Sequence, residues 1–202
     1  MMEALAAIGI AYLLGAIPFG YLMVKWCTGR DVRTMGSGNI GATNVLRTTG
    51  RLPGIVTLLL DVAKGYVAVM IAAQLGNDSP VLMSGAALAA MAGHGFPVFL
   101  RFRGGKAVAT FLGAFLYLAP AAVLAALVVF VIVVWRTRYI SMGSIVASGT
   151  FPLAVWLIVH PPWAVIGAAV ASGAFIIWRH QENIRRLRAG TENVFSWKGR
   201  RN

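Results

Sequence analysis

The sequence predicts an all-α integral membrane protein: a compact bundle of seven transmembrane helices, some of them short, with the N-terminus outside and the C-terminus in the cytoplasm. Three observations carry this. The 202 residues are 58% hydrophobic and 12% charged, and several apolar runs reach the ~20 residues that span a bilayer. All 18 lysines and arginines except Lys64 fall in loops that a seven-span arrangement puts on one face. The positive-inside bias marks that face as cytoplasmic. Pro120 interrupts the one apolar segment that would otherwise carry the chain to the wrong side.

Span one runs from about Ala4 to Trp26, apolar until Lys25. Glu3 precedes it and no early Lys or Arg does, so it lacks the basic leader of a cleaved signal and is expected to be retained. A polar stretch, Arg30 to Arg51, leads to span two, about Pro53 to Gln74. Gly76-Asn77-Asp78-Ser79-Pro80 is the turn into span three, about Val81 to Gly93. From Ala107 to Trp135 a single helix of about 29 residues would put Lys106 and Arg136 on opposite faces. Two helices meeting at Pro120 return both to one face, at about 13–16 residues each, short enough to require tilt or a thinned bilayer. A span from about Met142 to His160, a turn at Pro161-Pro162 and a last span to near Trp178 complete the bundle. The tail, Arg179 to Asn202, is basic. Residues 1–202 thus read as a single membrane domain with polar segments at about 30–51, 93–110 and 179–192.

Composition excludes other classes. The net charge of +12 has its origin in loop lysines and arginines, so no nucleic-acid partner is expected. Cys27 is the single cysteine, which removes an internal disulfide and a multi-cysteine zinc site. Three histidines and six acids, widely dispersed, point to no metal site, and no cofactor is expected. Glycine and alanine are abundant in span three (Gly85, Ala86, Ala89, Ala90, Gly93), as close helix packing requires.

Three polar segments carry chemistry. Gly93 to Lys106, GHGFPVFLRFRGGK, places two arginines, a Gly-Gly pair and Lys106 between apolar spans. Adjacent glycines let backbone N–H groups approach an anion while the ammonium adds a point charge. The segment reads either as a phosphate-binding loop or as an ordinary positive cytoplasmic loop. Gly36 to Arg47 combines three glycines, two amides and two hydroxyls with an arginine that can grip phosphate bidentately. A helix starting near Gly41 would aim its N-terminal amides at the same anion. A flexible linker is the alternative. The third segment, Arg179 to Glu192, reads as a basic helix lying on anionic lipid, with Ile184 and Leu187 on one face. If the tail folds back, His180 and Asn183, three apart, face the other two loops instead. Within span two, Asp61 and Lys64 share a helical face, as a mutually neutralising pair or as a charge bordering a substrate cavity.

Known motifs do not fit. A hydrolase elbow would need glycine at Met35 and Asn39. A Walker A loop would need glycine at Leu100 and Ser or Thr at Ala107.

Taken together, SGNIGATNVLR (37–47), GHGFPVFLRFRGGKAVAT (93–110) and RHQENIRRLRAGTE (179–192) resemble the three cytoplasmic motifs of the bacterial acyl-phosphate:glycerol-3-phosphate acyltransferase family, PlsY. The likeness covers almost the whole chain, with Ala107 standing where many members are expected to have glycine. The resemblance implies acyl transfer from acyl phosphate to the sn-1 hydroxyl of glycerol 3-phosphate. The products are lysophosphatidate and phosphate, in the first step of phospholipid synthesis, at the cytoplasmic face of the bacterial inner membrane. The implied partners are the two substrates and membrane lipid, with no obligate protein partner. The HxxxxD motif of other glycerol-phosphate acyltransferases is absent, the fifth residues after His94, His160 and His180 being Phe99, Val165 and Arg185.

The roles follow from the resemblance. Ser37 with the amides of Gly38, Asn39 and Gly41 would hold the acyl phosphate and its developing oxyanion. Lys106 and the Gly104-Gly105 backbone would neutralise phosphate. Thr43, Asn44, Arg47, His180 and Asn183 would bind and orient glycerol 3-phosphate. His94 is a candidate general base; alternatively the leaving phosphate takes the proton and His94 orients it. The competing classes are a small transporter of a phosphorylated anion, against which no inverted repeat or polar outer half is evident, and a membrane scaffold.

Overall fold

The computed structural model describes residues 2–195, whose regular elements are all helices, with no strand among them. The basic residues Lys198, Arg200 and Arg201 of the tail lie outside the described residues. The chain forms two compact units, Met1–Leu118 and Ala119–Asn202.

In the first unit, α1 (Met2–Ala16) and α2 (Phe19–Thr28) are separated at Ile17-Pro18, where proline removes a backbone donor. A short 3₁₀ turn, Val32–Thr34, leads to α3 (Ala42–Thr49) and directly into α4 (Arg51–Leu75). Then come α5 (Pro80–Gly95), capped by the Ser79 side chain, a second 3₁₀ turn at Val98–Leu100, and α6 (Val108–Leu118). The packing inverts that of a soluble protein. A buried cluster consists wholly of alanines, Ala7, Ala11, Ala68, Ala72, Ala86 and Ala90, while Leu52, Leu59 and Val81 are largely exposed. Small residues inside let helix backbones approach, and large apolar ones outside suit lipid. Between α4 and α6 the approach is so close that a Cβ on Gly65 would strike the Thr110 carbonyl and one on Gly113 the Val62 carbonyl.

The second unit holds α7 (Pro120–Thr137), α8 (Ile140–Ala154), α9 (Trp163–Arg179) and α10 (Gln181–Arg188). Pro120 stands in the first turn of α7, where proline is tolerated, so the long apolar segment is two helices as expected. They have 11 and 18 residues rather than about 13–16 each, because α6 ends at Leu118 and α7 runs on to Thr137. Leu124, Val128, Val131 and Ile132 line one exposed face of α7, and Ala122, Val123 and Ala126 the buried one. After Pro152, which withdraws a donor inside α8, the chain widens into a π turn at Val155–Val159 and stops at His160 in the left-handed region.

Among the described residues, five helical segments are long and apolar enough to cross a membrane: Met2–Thr28, Arg51–Leu75, Pro80–Leu100, Pro120–Thr137 and Ile140–Val159. The pair Trp163–Arg179 and Gln181–Arg188, bent by 56°, makes a sixth if taken as one span. The 11 residues of α6 are apolar but short.

Candidate active site

The glycine-rich segment folds around one side chain. Asn44, buried in the second residue-pair of α3, accepts at Oδ1 from the Ser37 N–H (2.9 Å) and donates through Nδ2 to the carbonyls of Asn39 (2.8 Å) and Met35 (3.0 Å). Gly36 and Gly38 make the turn possible at φ +56° and +71°, and a Cβ on Gly36 would overlap Asn44 Oδ1. The Gly38 N–H donates to the Met35 carbonyl and the Gly41 N–H to Asn39 Oδ1 (2.8 Å). These two amides and the Asn44 amide group, which the sequence suggested would face an anion or substrate, therefore brace the loop. The physical reason is that a loop this short satisfies its own donors first. Ser37 and Arg47 are exposed, and Thr43 is half-buried. Gly41 begins α3 as expected, in an extended conformation without a side-chain cap. At the entrance to the loop Asp31 accepts from the Arg33 N–H and pairs with its guanidinium at 2.6 Å. That side-chain bond to Arg33 holds the Asp31 carboxyl below its ordinary range, against a smaller opposing push from burial.

The second segment is held to the first through an apolar cluster: Leu100, from the 3₁₀ turn, is buried with Val24, Val32, Ile40 and Val45. The chain then passes through Arg101 and Phe102, both left-handed, and returns so that the Gly105 N–H donates to the His94 carbonyl at 3.0 Å. A Cβ on Gly104 would strike that carbonyl, and one on Gly105 would strike His94 Nε2. Both glycines are thus required by contact. Lys106 is half-buried at the end of this turn. Ala107 is fully buried at φ +59°, just before α6, where it carries left-handed strain that glycine would not.

His94 is 4% exposed. Its Nδ1 lies 3.2 Å from Thr110 Oγ1 and 3.6 Å from Asp61 Oδ1. Asp61 in turn lies 2.8 Å from Lys64 Nζ, which donates to the Ile17 carbonyl at 2.8 Å.

In the second unit, His180 links α9 to α10 and is buried, with Nδ1 2.7 Å from the Ile176 carbonyl. Facing a carbonyl, Nδ1 must carry the proton. Asn183, also buried, donates to Glu192 Oε1 at 2.8 Å, and Arg186 Nε donates to Oε2 at 2.8 Å. The tail turns at Gly190 (φ +67°), and the Phe195 N–H donates to the Arg138 carbonyl within the same unit. Burial raises the pKa of Glu192, but the bonds from Asn183 and Arg186 outweigh it and leave the carboxyl below its ordinary range.

The family profile described as glycerol-3-phosphate acyltransferase matches residues 5–190. The chain belongs to the glycerol-3-phosphate acyltransferase family. Among its relatives, the enzyme of that name from Trichlorobacter lovleyi is 51% identical over 96% of this chain and 99% of its own length. The one from Geobacter sulfurreducens is 48% identical over the same shares. Similar solved structures are those of PlsY, an integral membrane glycerol 3-phosphate acyltransferase. Its glycerol 3-phosphate form matches with a TM-score of 0.89 at 41% identity, over 96% of each chain. Its lysophosphatidic acid form matches with a TM-score of 0.87 at 39% identity, over 97% of each. This acyltransferase is accordingly a multi-pass membrane protein.

Two residues of the acyltransferase stayed hidden in the sequence. Thr110 closed the second motif without a role, and nothing in spacing links it to His94, 16 residues away. Glu192 closed the third motif without a role; an acid just after a glycine turn in a basic tail was the available signal.

Proposed function

We propose that this acyltransferase takes its acyl group from acyl phosphate. The sn-1 hydroxyl oxygen of glycerol 3-phosphate attacks the acyl carbonyl carbon; a carboxylic ester forms, the bond from carbonyl carbon to phosphate oxygen breaks, and inorganic phosphate leaves. The hydroxyl proton ends on the departing phosphate. A mixed anhydride carries its own leaving group, so no covalent enzyme intermediate is needed. The observation that carries this reading is a pair of glycine-rich loops, 36–47 and 93–106, held on one apolar cluster in a chain of this family. PlsY structures in glycerol 3-phosphate and lysophosphatidic acid forms support the acceptor and product.

In this proposal Ser37, Thr43, Arg47 and Lys106 meet the phosphates and the developing oxyanion. Gly38, Asn39, Gly41, Asn44, Gly104 and Gly105 shape the backbone that presents them. His180 and Asn183 serve the same reaction by orienting glycerol 3-phosphate, and the whole chain acts as one domain without an obligate protein partner. We further propose seven crossings, α6 and α9 included, with the N-terminus outside and the motifs at the cytoplasmic face of the inner membrane. The one-sided basic residues support that orientation.

His94 is enclosed at both ring edges, which favours orienting over general-base work. A general base must be unprotonated, so it would impose an acid limb on kcat/KM that disappears in His94→Gln. An unchanged limb is expected.

Purified protein in lipid, supplied with glycerol 3-phosphate and either palmitoyl phosphate or palmitoyl-CoA, tests the donor. Lysophosphatidate formed only from palmitoyl phosphate is expected. Turnover from the CoA ester alone would overturn the donor, and binding without turnover from either would favour a transporter.

A further inference from the structure

Asp61 and Lys64 are each at most 4% exposed within α4, one of the segments long and apolar enough to cross the bilayer. Replacing such a pair by apolar residues is often neutral or stabilising, so stability alone does not account for it. Lys64 is already bound twice, by the Asp61 carboxylate and the Ile17 carbonyl. The carboxylate nevertheless also faces His94 Nδ1, and Thr110 approaches the same nitrogen from α6. A carboxylate there favours the tautomer with its proton on Nδ1 and fixes the plane of the ring. The opposite ring edge, Nε2, lies where a side chain on Gly105 would be, and the His94 carbonyl receives the Gly105 N–H. Three helices therefore converge on one imidazole, and the imidazole bears on the turn that presents Lys106.

We infer that Asp61, held by Lys64 and acting with Thr110 on the His94 ring, is a positioning residue for the Gly104–Lys106 turn. It touches no substrate. It fixes where the backbone donors and ammonium stand, and a small displacement of such groups is costly in turnover. The inference rests on the phosphate-binding role proposed above for that turn.

Asp61→Asn alone would strand a buried ammonium, so the test is Asp61→Asn with Lys64→Met in the full chain, reconstituted in lipid. Glycerol 3-phosphate is varied at saturating palmitoyl phosphate. The double variant is expected to fold and melt near the unaltered protein while kcat/KM falls by up to ~10²-fold, the cost of a small misplacement of positioning groups. His94→Asn should then add little on the double background although it is severe alone, because both act through one ring. Wild-type kinetics in the folded double variant, or additive effects with His94→Asn, would overturn the inference. If the double variant fails to fold, Thr110→Val, nearly isosteric and uncharged, should give the same fall at an unchanged melting temperature; unaltered turnover would overturn it. Absence of turnover in the unaltered protein would instead defeat the proposed reaction. In that case binding of inorganic phosphate, by calorimetry, decides: the double variant must weaken it as Lys106→Ala does, and equal affinity ends the inference.

Discussion

The two glycine-rich segments of the first unit reach the same end by different means. The loop at 36–47 is braced from within: one amide, Asn44, seven residues from Ser37, satisfies three backbone groups of its own loop. The turn at 104–106 is braced from outside, by a histidine ten residues back whose ring is set by Asp61 from α4 and Thr110 from α6. A local brace survives small shifts between helices, since all its atoms move together. A brace assembled from three helices transmits such shifts to the turn, and any added volume there has no soft partner to displace.

Gly104→Ala and Gly105→Ala break the second brace most severely. The new methyl meets backbone in one case and a ring held on its far side in the other, so turnover should fall on the order of 10²-fold through misplacement. Gly167→Ala, which adds its methyl to open space on α9, should leave turnover unchanged. Steady-state acyl transfer on the three variants checks both statements.

Asn44→Asp breaks the first. The carboxylate keeps the acceptor for Ser37 but turns an oxygen towards the Met35 and Asn39 carbonyls, leaving buried acceptors unmatched. A loss of about 1–3 kcal/mol in stability is expected from thermal melting in detergent, with activity falling further than in Asn44→Ala.

The fold-back at Glu192 is a third brace, local like the first but ionic. Glu192→Gln should cost about 1.5–3 kcal/mol by removing charge from bonds to Asn183 and Arg186. The sign of its pH dependence is fixed: the folded-state pKa lies below the ordinary 4.5, so this contribution is complete above about pH 4.5 and is lost as pH falls through the lower folded value. Melting curves of the variant and its parent should converge in acid.

The smallest effect sharpens the comparison at the end of the turn. Ala107→Gly relieves left-handed strain of about 1–2 kcal/mol but gives up a buried methyl worth about 0.8 kcal/mol. A gain of no more than about 1 kcal/mol is expected at φ +59°, and chemical denaturation measures it.

Much of the fold was written along the chain because its signals are local. Apolar runs of bilayer length and Pro120 at a helix start each act within a few residues, whereas the break at Pro18 inside the expected first span was missed. The helix start at Gly41 was legible for the same reason. The uses of Asn44, Gly38 and Gly41 were not, since the residues that can greet an anion are also those that can brace a loop. Composition does not say which demand is met first.

By itself, then, the sequence determined that this is a helical membrane protein of the acyltransferase family, that its long apolar segment divides at Pro120 and which segments are polar. Periodicity, punctuation and motif order are properties of neighbouring residues. Only the tertiary structure decided that His94 stands between Asp61, Thr110 and Gly105, and that Glu192 closes on Asn183 and Arg186. Those contacts depend on how helices and turns pack, and no spacing along the chain encodes the angle at which two helices meet.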